Sequence, residues 1–288
     1  MLQDIQPHKL HNEYDHDAVA NATDIVVIVA GSKVLARIDE LSNAVRLPII
    51  EEIWGLDDFD GKKLTYLFSV DNERYFIYEP IEDEKIIDEV IGYKLIDLRY
   101  IRENSLEPKS RVFAMHTAKH LSDWYADSKF CGRCGHKMRH SITERAMCCP
   151  ECGYIQYPRI MPAVIVGVIN GDRLLITKYK SGYAHNALIA GFTEIGETLE
   201  ETVAREVMEE VGIMVRNIKY YKSQPWGMAN DILAGFFCEV DGNDEIYMDG
   251  SELKYAQWVE REDIELQPDD SSLTNEMMKM FKIGRIRR

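Results

Sequence analysis

Two groups of side chains in this 288-residue chain have types and spacings that could do chemistry. The first is a set of cysteines. Cys131-Gly-Arg-Cys134 and Cys149-Pro-Glu-Cys152 form two C-x2-C pairs with 14 residues between them. Each such turn can offer two thiolates, and two turns supply the four sulfurs that Zn²⁺ takes tetrahedrally in structural sites. Gly135 and Gly153 directly follow the pairs and permit the tight turns this requires. Four thiolates leave no open position for catalysis, so the expected zinc is structural. Two redox disulfides or four buried thiols are the alternatives, and the doubled spacing weighs against them. Cys148 adjoins the second pair, but only Cys149 makes a C-x2-C with Cys152. His136 follows a knuckle where four sulfurs already suffice, and Cys238 reads as a small buried hydrophobe.

The second group is acidic. The segment Gly191–Ile213 reads GFTEIGETLEETVAREVMEEVGI. Thr198 followed by Glu201 is a capping-box pattern that starts a helix, and Gly212 ends it. At roughly 100° per residue, with Glu206 at zero, Glu210 falls near about +40° and Glu209 near about −60°. The neighbouring arc holds Val203, Val207, Val211 and Ala204 and should face a sheet. Three carboxylates beside a buried surface repel one another unless a cation sits among them. Oxygen-only ligands suit a hard divalent ion such as Mg²⁺ or Mn²⁺. Glu197 at the helix entrance can add a carboxylate, and Arg205 can orient one. A solvated acidic face is the plainer reading of a lone E-x2-EE; the flanking residues decide against it.

Those flanks complete the pattern G-x5-E-x7-R-E-U-x-E-E-x-G-U, with U a bulky apolar residue. Gly191, Glu197, Arg205, Glu206, Val207, Glu209, Glu210, Gly212 and Ile213 fill all nine fixed positions. The segment resembles the Nudix hydrolase family. The resemblance implies an α/β/α sandwich that cleaves a nucleoside diphosphate linked to another moiety, with Glu206, Glu209 and Glu210 as Mg²⁺ or Mn²⁺ ligands and Glu197 and Arg205 supporting them. Such ions neutralise bridging phosphates and activate a bound water.

The four-cysteine segment ahead of this helix, together with Ser223-Gln224-Pro225-Trp226, is similar to the NAD(H) diphosphatase (NADH pyrophosphatase) branch. The likeness covers about residues 110–275. The branch signature is SQPWPFPxS; here it reads SQPWGMAND, departing at Gly227, Met228, Ala229 and Asp231. The resemblance implies substrate contacts from Ser223, Gln224 and Trp226. It also implies that the nicotinamide end stacks between Phe192 and Tyr157 of the partner subunit in a homodimer. A further acidic residue of the branch corresponds to Glu252, displaced by one residue, with structural filler as its rival reading. The implied reaction splits NADH or NAD⁺ into nicotinamide mononucleotide and AMP, and extends to NAD caps on RNA 5′ ends. ADP-ribose or diadenosine polyphosphates are the alternative substrates. A non-catalytic nucleotide or RNA sensor is the rival of another class, and an intact acidic helix speaks against it.

The elements that must position these groups are legible in outline. We expect an α/β protein in three parts: an N-terminal mixed α/β domain over 1–126, a zinc ribbon over 127–157, and a Nudix domain over 158–288. In the first part, Asp24–Val29, Lys33–Ile38, Leu64–Val70 and Arg74–Tyr78 read as strands, the last two joined through Asp71–Glu73. A helix is expected over about Ser110–Ala126, with Val112, Phe113, Ala118, Leu121 and Trp124 on its apolar stripe. His8, His11 and His16 read as a frayed polar terminus rather than a metal site. Beyond Pro158 strand and helix should alternate. The basic tail Lys282–Arg288 reads as a solvated terminus.

Composition bounds the rest. With 49 acidic and 34 basic residues, the net charge of −15 opposes a broad electrostatic grip on nucleic acid. Apolar residues at 45% exclude a disordered chain. The longest apolar runs, Ile25–Ala30 and Met161–Ile169, fall well short of the about 20 residues that span a bilayer. No secretory signal is readable, so a cytoplasmic enzyme without a membrane partner is expected.

Overall fold

The computed structural model describes residues 1–55, 64–78, 89–90, 92–180, 185–248, 250 and 252–286. The chain divides into two compact units: one of Gln3–Arg159 with Gly227–Asn230, the other of Met1–Leu2, Ile160–Trp226 and Asp231–Arg288.

The N-terminal part of the first unit holds β1 (Leu10–His11), β2 (Ile25–Val27), β3 (Val29–Ala30), β4 (Lys33–Asp39), β5 (Ala44–Arg46), α1 (Ile50–Trp54), β6 (Leu64–Val70), β7 (Glu73–Tyr78), β8 (Glu89–Val90), β9 (Tyr93–Asp97), α2 (Leu98–Glu103) and α3 (Lys109–Asp127). Two sheets result, ordered β1-β6-β7-β2 and β3-β4-β9-β8, the second with β5 beside β4. The expected strand Asp24–Val29 is thus broken in two. Ile25 to Val27 pair with β7 while Val29 and Ala30 pair with β4, so one short run serves both sheets. The β6–β7 hairpin turns at Asp71, which takes a positive φ of 51°. α3 buries Val112, Phe113, Ala118, Leu121 and Trp124, the stripe read from the sequence. Two of the three N-terminal histidines are tethered rather than frayed. His8 Nδ1 lies 2.8 Å from Asp71 Oδ2, and His11 belongs to β1, paired with Ser69.

The cysteine-rich segment forms a small antiparallel sheet of β10 (Arg139–His140), β11 (Met147–Cys148) and β12 (Ile155–Gln156). It is fastened within its own unit. Arg145 Nη2 donates to Leu67 O at 2.5 Å, Tyr14 Oη donates to Ser141 O at 2.6 Å, and Tyr125 lies 5.0 Å from the His140 ring. The N-terminal sheets therefore serve as the platform that holds the ribbon.

The second unit is built on β13 (Met161–Asn170), β14 (Arg173–Tyr179), β15 (Ile189–Phe192), α4 (Leu199–Val211), β16 (Val215–Trp226), β17 (Asp231–Val240), β18 (Leu253–Glu260) and α5 (Leu273–Lys282). The sheet order is β16-β17-β13-β14-β18, with β15 beside β13. Strands and helices do not alternate as expected. Hairpins join β13 to β14 and β16 to β17, and β13–β17 is the parallel pair. Successive side chains of a strand point to opposite faces, and β13 feeds two cores accordingly. Val164, Val166 and Val168 pack with Val203, Val207 and Val211 of α4. Ile165 and Ile169 pack with Leu273, Met277 and Phe281 of α5. The sheet is sandwiched between two helices, which makes this unit an α/β/α sandwich. The tail beyond α5 is described as far as Ile286, and Lys282 Nζ donates to Ile264 O at 2.7 Å.

Candidate active site and metal centres

The acidic helix forms as its sequence dictates. Thr198 is the N-cap: its hydroxyl accepts from Glu201 N at 3.2 Å, while its own N–H donates to Glu201 Oε2 at 2.8 Å. Gly212 closes the helix in the left-handed conformation at φ 70°, its N–H bonded to Met208 O at 3.0 Å. Val203, Val207 and Val211 are fully buried, but Ala204 is exposed, so the apolar arc is narrower than the helical wheel implies.

The carboxylates are graded by depth: Glu210 is buried, Glu206 half-buried and Glu209 exposed. Arg205 ties Glu206 and Glu209 to Glu197. Its Nε and Nη2 donate to the two Glu197 oxygens at 2.6 and 3.0 Å. Its Nη1 donates to Glu206 at 2.7 Å and Glu209 at 3.0 Å, and Nη2 also reaches Phe192 O at 2.9 Å. Glu197 Oε2 further accepts from Thr202 Oγ1 at 2.9 Å and Glu194 N at 3.1 Å. The Arg205 hydrogen bonds, with the Glu194 amide behind them, hold the Glu197 carboxyl down at about 2. Burial instead pushes Glu206 upward, against the pull of Arg205.

Gly191 has a steric reason to be glycine. A Cβ built there would overlap the Glu206 carboxyl group itself. Strand β15 thus leaves a slot in which the Glu206 carboxylate sits. The sequence pattern marks this glycine without saying why; the packing supplies the reason.

Two neighbours extend the cluster. Tyr179, at the end of β14, has its phenol pushed up by burial and then by the negative charges of Glu210, Glu252 and Glu206. Glu252 also acts on Glu206, which puts it electrostatically within the acidic group. No motif flags Tyr179; only its place opposite β18 brings it here. Oxygen donors of this kind fit a hard divalent cation in their chemistry. Their ligand atoms are not gathered into a closed cage. Among the described residues, the four ribbon cysteines are the group whose ligand atoms all lie within 4.8 Å of one another.

That cysteine group is preformed. Cys131 Sγ lies 3.6 Å from Cys152 Sγ, and Cys134 Sγ lies 3.4 Å from Cys149 and 3.5 Å from Cys152. A tetrahedron with Zn–S bonds of about 2.3 Å has edges of about 3.8 Å, so the sulfurs need to open by only a few tenths of an ångström. The two knuckles repeat one geometry. Gly135 N bonds Cys131 O at 2.8 Å and Gly153 N bonds Cys149 O at 3.1 Å, with φ of 77° and 70°. All six cysteines are free thiols, and Cys148 stands apart from the cluster on β11.

The expected substrate residues are distributed as follows. Phe192 ends β15 with 51% of its surface exposed, so it is not an ordinary core residue. Tyr157 is 54% exposed in the other unit, and its hydroxyl donates to Glu144 at 3.0 Å. Ser223 is exposed on β16 and Trp226 ends that strand half-buried. Gln224 is fully buried, with Nε2 donating to Ser271 O at 2.8 Å and Oε1 accepting from Leu273 N at 2.7 Å. Its amide holds the start of α5.

Residues 159–281 match the NUDIX domain family, and residues 126–157 match the NADH pyrophosphatase zinc ribbon domain. The two matched segments are thus similar to a Nudix domain and to the NADH pyrophosphatase zinc ribbon that precedes it. Among curated proteins it is similar to the NAD-capped RNA hydrolases NudC of Shigella flexneri and Citrobacter koseri, each 41% identical over 162 residues. The matched region is 55% of this chain and spans 62% of the length of those relatives. Among solved structures, a NUDIX hydrolase from Nitrosomonas europaea aligns with 55% of this chain and 92% of its own, at 21% identity and a TM-score of 0.45. Among the described residues, no helix is long and apolar enough to cross a membrane.

Proposed function

We propose that this chain is a metal-dependent hydrolase that splits the pyrophosphate of NADH or NAD⁺ into nicotinamide mononucleotide and AMP, and that the same site removes NAD caps from RNA 5′ ends. The observation that carries the reading is the acidic helix itself, with Glu206 seated in the Gly191 slot and Arg205 bridging Glu197, Glu206 and Glu209. Glu206, Glu209 and Glu210 would hold the Mg²⁺ or Mn²⁺. When bound, such a cation neutralises the bridging phosphates and lowers the pKa of a coordinated water. The reaction adds a water oxygen to one phosphorus, breaks its bond to the bridging oxygen, and leaves that oxygen on the other product.

The protein's own groups bind and orient. Glu197 holds Arg205, and Arg205 fixes the carboxylates it touches. The exposed Phe192 ring stacks on the nicotinamide, opposite Tyr157 of the partner subunit in a homodimer. Ser223, Trp226 and Glu252 contact the rest of the dinucleotide. The ribbon zinc, held by Cys131, Cys134, Cys149 and Cys152, is structural. We assign 1–126, 127–157 and 158–288 as the N-terminal, ribbon and Nudix domains. Six cysteines without a disulfide suit the reducing cytosol.

ADP-ribose or a diadenosine polyphosphate is the second reading, favoured by the four departures from the SQPWPFPxS signature. One panel separates the readings: kcat/KM for NADH, NAD⁺, ADP-ribose, diadenosine polyphosphate and NAD-capped RNA, with Mg²⁺ or Mn²⁺. NADH, NAD⁺ or the capped RNA should lead. A tenfold or greater preference for ADP-ribose would replace the proposal with the second reading.

A further inference from the structure

Strand β16 is at the edge of its sheet and carries the run Lys219-Tyr220-Tyr221-Lys222. Beside it lies a cavity of about 190 Å³ that includes Asn217, Lys219, Tyr220, Tyr221, Cys238 and Arg285 in its lining. This is below the about 300–1,000 Å³ of sites for drug-sized ligands, and suits one base or phosphate rather than a dinucleotide. The cavity lies toward the β13 residue Ile169, whereas Gly191 pairs with Val164. At about 3.3 Å per residue the two places are about 17 Å apart along the strand.

The charges here differ from the rest of the strand's surroundings. Arg216 lies 3.5 Å from Asp241 and Lys222 lies 2.8 Å from Glu276, so neighbouring cations are neutralised. Lys219 and Arg285 make no ion pair among the described residues, in a chain of net charge −15. Glu239, which also lines the cavity, accepts from Asn217 Nδ2 at 3.0 Å and faces Arg216 at 3.9 Å. Tyr220 is 57% exposed, its ring 5.7 Å from Phe236 and inclined to it by 73°. Two cations with no ion pair among the described residues, beside an exposed ring, match a nucleotide, since cations attract the phosphate and an aromatic ring can stack on any base.

We infer that this cavity on the edge strand binds a nucleotide of single-stranded RNA lying 3′ of the cap, with Lys219 and Arg285 on its phosphate and Tyr220 against its base. This rests on the capped-RNA reading for its biological source, but its binding test does not depend on turnover. Helix α4 packs on the Val164 face, and the cavity lies beside Ile169, Tyr221 and Phe237 on the α5 face, so a short strand leaving the acidic helix would reach the cavity by passing round the edge strand. β16 itself, from Trp226 back to Asn217, provides the track.

The test uses the full chain and an uncapped, labelled single-stranded oligoribonucleotide of about ten nucleotides, with AMP titrated separately. The Lys219→Ala/Arg285→Ala pair should weaken oligonucleotide binding about tenfold near 0.1 M salt. It should also reduce the slope of log affinity against log salt by about 1.4, the loss of two single-strand phosphate contacts. Lys219→Arg/Arg285→Lys should keep both, and NADH turnover and the melting temperature should stay unchanged in each variant. An oligonucleotide affinity and salt slope unaffected by the alanine pair would overturn the inference. So would AMP alone saturating wild type as tightly as the oligonucleotide, which would make this a free-nucleotide site. Absent NADH turnover would count against the proposed reaction while leaving the binding measurement standing.

Discussion

Gly191 and Glu206 show how a single missing atom sets the seat of a carboxylate. Because a Cβ at 191 would occupy the space of the Glu206 carboxyl group, Gly191→Ala must push that carboxylate out of its slot. A displacement of about 1 Å near reacting groups costs on the order of 100-fold in rate. We expect Gly191→Ala to lose at least that much NADH turnover while its circular dichroism stays native; near-normal turnover would mean that Glu206 does not need the slot. Asp231 offers a second residue-scale test. It is 5% exposed at the start of β17, and burial pushes its carboxyl up to about 6 from 3.8. The folded state therefore binds this proton more tightly than the unfolded state. Stability is lost as pH rises from about 4 to about 6, and the penalty is constant above that. Asp231→Asn, which carries no charge, should be more stable than wild type near pH 7 by at most about 3 kcal/mol, with no gain near pH 4. Urea unfolding at the two pH values measures this, and an equal effect at both would remove the titration from the account.

At the scale of elements, the ribbon makes the clearest prediction. Its strands are only two residues long each, too few to stand without a cross-link, so its order depends on what joins the sulfurs. Removing zinc with a chelator, or changing Cys134→Ser, should unfold this segment and expose it to protease first, with the acidic helix keeping its fold. Full protease resistance after verified zinc removal would contradict a zinc-held ribbon. These elements were also the most legible in the sequence, for a physical reason. The capping box, the left-handed Gly212 and the paired knuckles are local interactions, written in residues three to five apart. What escaped was mostly non-local. The pairing of Ile25–Val27 with β7 and the tethering of His8 to Asp71 depend on partners dozens of residues away, whereas the β13–β14 and β16–β17 hairpins are local turns that the expected strand–helix alternation passed over. The same holds in the site. Tyr179 reaches the carboxylates only through the sheet, and the burial of Gln224 against the start of α5 comes from a partner 49 residues on.

Across the whole molecule, the two compact units divide the labour: one assembles the platform and ribbon, the other the sandwich that carries the acidic helix. A cation bound only by the native sandwich must stabilise it by mass action, about 2.7 kcal/mol when present at about 100 times its dissociation constant. Thermal melts should therefore rise with Mg²⁺ or Mn²⁺ in wild type and rise less in Glu210→Gln, which removes one charge that the cation needs. The central claim, that the acidic helix runs a metal-dependent cleavage of the NAD pyrophosphate, is tested most directly by chromatographic analysis of NADH incubated with the full chain. We predict nicotinamide mononucleotide and AMP in equal amounts, formed with Mg²⁺ or Mn²⁺, abolished by their chelation, and absent with Glu210→Gln of native fold. Near-normal release of both products by Glu210→Gln, or no release by wild type with either metal, would contradict it.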